Sequence, residues 1–332
     1  MCEIGQVELP CLKKENIIVI GSENSYDSFW FKMMFMSPGF SVALGMLFPP
    51  SWKPADLTTV LYVPEGYSKS ELLVIEYLKN NGCDVKKIKS VSDFKNAINT
   101  RKKDERGRDY KIQNLAFFCH GLNSRFVLNY EGEDTMEINL NTLPSLSASS
   151  FCEDGRIYSY ACRTGVFVND YLQQGFSSLK EAKPELSLAQ KMADHFNVKV
   201  HAFYKRTLFR YTLRKPDDSA DIARNLKEKR RGHEGKVIAI SPEHEALPHR
   251  GLADDGWDIG PLETGPIGEG THEYALWRKA GARALPIVAD SPAGLPNRMN
   301  VFKPKGSATK PKSFKWNQLD KQYRPPSNIK KA

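Results

Sequence analysis

Asn114-Leu115-Ala116-Phe117-Phe118-Cys119-His120-Gly121 is a short apolar run that stops at a histidine and a glycine. A second block, Arg156-Ile157-Tyr158-Ser159-Tyr160-Ala161-Cys162-Arg163, has the same build and ends in a cysteine. Both runs are too short for a buried helix and are rich in aromatic residues, so each reads as a buried strand. Each strand carries its last side chains to one end of a sheet. A thiol and an imidazole brought together there form a nucleophile and its base.

Outward from these blocks the chain alternates between two kinds of segment. Residues 16–21, 58–63, 84–88 and 198–204 are short apolar runs that read as further strands, the second stopped by Pro64 and Gly66. Residues 68–81 repeat apolar side chains at helical spacing (Leu72, Ile75, Leu78) and are closed by Asn81-Gly82. Residues 92–101 carry Phe94, Ala97 and Ile98, and residues 188–196 carry Leu188, Met192 and Phe196 on one face behind the N-cap Ser187. Residues 101–110 read as a charged loop and 136–150 as a polar connection. Continuous apolar strands alternating with amphipathic helices predict an α/β three-layer sandwich with a mainly parallel sheet. Active residues of such sheets gather at the carboxyl ends of the strands, where His120 and Cys162 both fall. Residues 29–48 are rich in Phe, Met and Leu but contain Lys32 and Ser37-Pro38-Gly39. They predict a buried helix-turn-helix and no transmembrane segment.

The chain has 332 residues, 40% of them hydrophobic and 26% charged, which excludes collagen-like and fully disordered classes. Its six cysteines (Cys2, Cys11, Cys83, Cys119, Cys152, Cys162) lack paired metal-ligand spacing, which speaks against a zinc ribbon or a disulfide framework and for a reduced compartment. His233, His244 and His249, with Glu234, Glu243 and Glu245, match no zinc pattern, so no metal or other cofactor is expected. Residues 303–332 hold nine lysines and arginines against Asp320 alone, so eight of the nine net positive charges sit in this tail. With Pro304, Pro311, Pro325 and Pro326 it reads as a flexible basic tail suited to an anionic partner, and no stable nucleic-acid binding is expected. Residues 1–214 form the expected core, 215–236 a charged linker, and 237–302 an irregular Gly/Pro-rich extension packed on the core.

A strand ending in Phe117-Phe118-Cys119-His120-Gly121 followed by one ending in Tyr160-Ala161-Cys162-Arg163 resembles the caspase-like cysteine peptidases, the group of caspases, metacaspases, gingipains and clostripain. The 42-residue separation of His120 and Cys162 is close to the roughly 50 of caspases. The resemblance covers about residues 15–215. It implies a caspase-hemoglobinase-like fold and a cysteine endopeptidase with Cys162 as nucleophile and His120 as its proton partner. It implies an oxyanion hole from the N–H groups of Gly121 and Cys162. No third carboxylate is evident beside the pair.

Basic-specific relatives carry an acid two places before the cysteine, where this chain has Tyr160. Tyr160, Arg163, Arg206 and Arg210 are the candidate substrate-binding residues, the last two suiting an acidic side chain of a protein or peptide substrate. Self-processing is expected in 215–236, which offers Asp217-Asp218-Ser219 and Lys229-Arg230-Arg231-Gly232. The N-terminal residues show no secretory pattern, so a cytoplasmic protein, or one exported without a classical signal peptide as a bacterial effector or toxin, is expected. The alternative is a catalytically silent binding or scaffold protein of the same fold.

Overall fold

In chain order the elements are β1 (Lys13–Ile20), β2 (Ser22–Glu23), α1 (Phe29–Ala43), β3 (Leu57–Tyr62), α2 (Lys69–Asn80), β4 (Asp84–Lys87), α3 (Val91–Asn99), β5 (Tyr110–Phe118), β6 (His120–Leu122), β7 (Arg125–Val127), β8 (Asn129–Tyr130), β9 (Glu137–Asn139), β10 (Phe151–Ser159), α4 (Leu188–Phe196), β11 (Lys199–Phe203), β12 (Thr207–Leu208), β13 (Ile287–Val288) and β14 (Met299–Phe302). The computed structural model describes residues 13–24, 29–100, 102–130, 132–167, 175–209, 212, 282, 285–289, 292 and 294–304. The linker 215–236 with its expected cleavage sites, most of 237–302, the tail from 305 onward, Arg210 and the three histidines at 233, 244 and 249 lie outside the described residues.

Seven strands form the central sheet in the order β14-β11-β10-β5-β1-β3-β4. All neighbouring pairs are parallel except β11–β14. Alternation along the strands sends side chains to two separate cores. Ile17, Val19, Leu115, Phe117 and Ile157 join Phe94 and Ile98 of α3 and Leu188, Met192 and Phe196 of α4 on one face. Ile18, Ile20, Val60, Ala116, Phe118 and Tyr158 join Met33, Phe35 and Phe40 of α1 and Val74, Ile75 and Leu78 of α2 on the other. The layers are therefore helix, sheet and helix, because every central strand is apolar on both faces.

The local signals read from the residues account for the helix ends. Ser68 caps α2: its hydroxyl accepts the Glu71 N–H at 3.2 Å, and the Glu71 carboxylate accepts the Ser68 N–H at 2.6 Å. Gly82 follows Asn81 with φ +81°, the left-handed turn that closes a helix. Ser187 accepts the Gln190 N–H at the start of α4.

Two expectations need correction. Residues 29–43 are one helix running through Pro38 rather than a helix-turn-helix. Burial overrides the proline: Met33 to Phe40 are buried against the sheet, and a Cβ on Gly39 would sit 2.7 Å from Ile20 Cδ1. The helix thus lies on β1 too closely to be given up for one lost backbone bond. The extension 237–302 is also not irregular throughout. β14 pairs with β11 as a strand of the main sheet, and Phe302 is buried against Tyr204. Among the described residues no helix is long and apolar enough to cross a membrane.

Candidate active site

Strand succession reverses between β1 and β5. From β1 the chain works outward to β3 and β4, then returns beside β1 as β5 and works outward to β10 and β11. At such a switch point the carboxyl ends of two neighbouring strands diverge and leave a crevice. The chain leaves β1 through Gly21 into Glu23, leaves β5 through Cys119 into His120, and leaves β10 through Tyr160 and Ala161 into Cys162. The three side chains therefore come from the ends of three adjacent parallel strands.

Glycines permit the close approach. A Cβ on Gly21 would lie 2.7 Å from both Cys119 Cβ and the Leu128 carbonyl oxygen. With hydrogen there, the Ser22 N–H bonds the Leu128 carbonyl and β2 pairs with β8, setting Glu23 opposite Tyr130. A Cβ on Gly121 would lie 2.6 Å from Cys162 N and 2.8 Å from Ala161 Cβ. The backbone after the histidine is thus seated directly on the backbone of the cysteine, bringing the two N–H groups of the expected oxyanion hole onto adjoining segments.

The His120 ring is held on three sides. Its Nε2 is 2.6 Å from Glu23 Oε2, the edge of Phe35 meets it at 4.8 Å, and the Tyr130 ring lies at 4.6 Å. The Glu23 side chain is fully buried, and 13% of the His120 side chain is exposed. The expectation that no carboxylate accompanies the pair is therefore corrected. Glu23 escaped the sequence reading because it lies 97 residues before His120 on a two-residue strand. The signal that could have found it is positional: it follows the strand that pairs with the histidine-bearing one.

The Cys162 loop is tied at every step. Ser159 and Thr164 share a hydroxyl hydrogen bond of 2.6 Å. The N–H groups of Arg163 and Gly165 bond the carbonyls of Lys205 and Phe203, and the Ala189 N–H at the start of α4 bonds the Thr164 carbonyl. These bonds hold Arg163 at φ +52°, a left-handed conformation costing a non-glycine residue roughly 1–2 kcal/mol. Cys162 Sγ accepts the Thr207 N–H of β12 at 3.2 Å. β12 pairs in turn with β13, and the Ala289 N–H bonds the Arg206 carbonyl. Thr207 is a second contact that the sequence reading missed.

The imidazole is thus bonded to Glu23 and the sulfur to Thr207, on adjoining backbones. Cys119 is fully buried, and burial, with the nearby Cys162 charge, holds its thiol well above the usual range. Cys162 is 7% exposed. Of the candidate substrate residues, Tyr160 is buried with its ring stacked on Phe118 at 4.9 Å. Arg163 and Arg206 are buried as well, rather than on the surface. Burial lowers the pKa of the Arg163 guanidinium, and the nearby Cys162 opposes the shift. Among the described residues no cluster of three or more His, Cys, Asp or Glu is placed to hold a metal ion. Comparison of the chain with family models, with curated proteins and with solved structures gave no match.

Proposed function

We propose that the chain is a cysteine endopeptidase with a caspase-like fold, using Cys162 and His120. The observation that carries this reading is the seating of Gly121 on Cys162, where the backbones that follow the two motif-bearing strands touch. In the reaction, Cys162 Sγ adds to the carbonyl carbon of a peptide bond and its proton passes to His120. The resulting oxyanion accepts the N–H groups of Gly121 and Cys162. His120 returns the proton to the leaving amine, the C–N bond breaks, and a thioester remains. Water, deprotonated by His120, then releases the acid and regenerates the thiol.

At the substrate, Tyr160 stacked on Phe118 puts an aromatic surface where basic-specific relatives carry an acid. A basic side chain is therefore not recognised through this position. Arg206 remains the candidate for an acidic one among the described residues.

A second reading, a catalytically silent binding or scaffold protein of the same fold, is favoured by one observation: Cys162 is 7% exposed, with its sulfur bonded to Thr207. Limiting alkylation separates the two. Iodoacetamide at low dose, followed by peptide mapping, labels Cys162 ahead of the partly exposed Cys83 if the thiol is activated, and the preference disappears in His120→Ala. Labelling ordered by exposure alone, and unchanged by His120→Ala, would select the scaffold.

A further inference from the structure

We propose that Glu23 is the positioning residue of this site: its carboxylate fixes the His120 ring so that Nε2 keeps its proton and Nδ1 is the nitrogen that exchanges one. This role rests on the peptidase reading of Cys162 and His120, which it deepens.

The bond between the ring and the carboxylate is short. At 2.6 Å, Nε2 to Oε2 is at the short end of N–H···O hydrogen bonds, as expected where a carboxylate is the acceptor. A carboxylate accepts only, so the ring nitrogen facing it must carry the hydrogen. Among the described residues the imidazole makes no second hydrogen bond. Nδ1 is therefore left as the basic nitrogen, and the tautomer is chosen by Glu23.

The arrangement is also costly. A carboxylate with no exposed surface is expensive to bury, and hydrophobic residues of the same volume usually serve stability as well or better. The fold nevertheless builds an apparatus to hold this one. Gly21 narrows the exit from β1, and β2 pairs with β8 in parallel, with Glu23 opposite Tyr130. Gly66, at φ +80°, leaves room for the Glu23 carbonyl, which would lie 3.0 Å from a Cβ there. Tyr130 and Phe35 then close on the ring that Glu23 holds. Carboxylate, clamp and ring are one unit at the switch point of the sheet.

Other titratable groups face the pair. Tyr67 and Tyr130 stand near Glu23 and the ring, while Cys119 and Arg163 stand near the thiol. Burial keeps the Tyr67 hydroxyl protonated, and it donates to the Gly21 carbonyl at 2.8 Å. Burial likewise keeps Cys119 a thiol. Glu23 is thus the carboxyl group in contact with the ring.

The test is the rate at which iodoacetamide alkylates Cys162 in the full chain, followed by peptide mapping from about pH 5 to about pH 9, a span that brackets the ordinary imidazole and thiol ranges. Glu23→Gln is expected to slow Cys162 by about tenfold or more near neutral pH and to move the acid limb of the profile upward by about one pH unit. Glu23→Asp, which keeps the charge but shortens the arm, is expected to recover part of the rate. In a His120→Ala background Glu23→Gln is expected to add nothing, because its effect runs through the ring. A purely structural carboxylate would instead lower the melting temperature and leave the profile in place. Should Glu23→Gln fail to fold, Glu23→Asp carries the test through its own shifted profile. An unchanged profile in the folded variants, or an equal slowing with and without His120, would overturn the proposal. If His120→Ala leaves the Cys162 profile untouched, the peptidase reading itself falls. If His120→Ala changes it and neither Glu23 variant does, only the role of Glu23 falls.

Discussion

Gly121 is the residue on which the site turns, because its missing side chain lets the histidine loop rest on Cys162. Gly121→Ala puts a Cβ 2.6 Å from Cys162 N, against backbone that is tied to β11, β12 and α4 and cannot give way cheaply. The expected outcome is loss of about 10²-fold or more in Cys162-dependent activity, as follows from misplacing reacting groups by about 1 Å. The melting temperature would fall by only a few degrees. Steady-state kinetics beside thermal unfolding checks this, and an active Gly121→Ala protein would count against the oxyanion assignment. The placement of His120, Gly121 and Cys162 just beyond strand ends was legible in the sequence because each ends or follows an apolar run, and such runs announce strand ends. Glu23 was not, because two residues of strand carry no periodicity. Its contact with His120 arises only when β1 and β5 become neighbours. Arg206 is a converse case: its charge suggested a substrate-binding residue, whereas the fold buries it.

At the scale of elements, end signals were easier to read than interruptions. Ser68, Glu71 and Gly82 bound α2 where their chemistry requires, since a cap is a local event. Ser68→Ala removes one half of the capping box and is expected to cost about 1 kcal/mol, seen as a lowered urea midpoint at constant slope. Pro38 misled in α1, because a proline's local cost of about 3 kcal/mol is outweighed when several large side chains of the same helix are buried. β14 escaped notice for a related reason: four residues, Met299–Phe302, form a strand because the edge of β11 is available to them. Phe302→Ala should therefore cost about 3–5 kcal/mol, the range for deleting a buried aromatic side chain, and urea unfolding of the full chain measures it. A cost under about 1 kcal/mol would mean that β14 is not part of the core.

For the molecule as a whole, the parallel sheet with helices on both faces was legible from alternation alone. The order of its strands was not, because order depends on crossovers that leave no local mark. That order sets both the site and a second property. β11 runs between β10 and β14, so His201 is enclosed with its ring stacked on Tyr158 at 4.7 Å. Burial, reinforced by the charges of Arg156 and Lys199, lowers its pKa to about 3 from the usual 6.5. The unfolded chain takes up this proton at higher pH than the folded one, so stability is lost as the pH falls from about 6.5 toward about 3. His201→Phe is expected to flatten the pH dependence of the melting temperature across that window. An equally steep dependence in the variant would show that other groups cause it.

The central claim is that Cys162 forms and releases an acyl intermediate at the switch point of this sheet. The most direct measurement is incubation of the purified full chain with a diverse peptide library, reading new termini by mass spectrometry beside Cys162→Ala. The expected result is a set of cleavages sharing one preferred residue before the cut, present with the native chain and absent with Cys162→Ala. The same spectra report any self-cleavage of the chain. Identical libraries after incubation with the two proteins, at concentrations where both are folded, would contradict the claim.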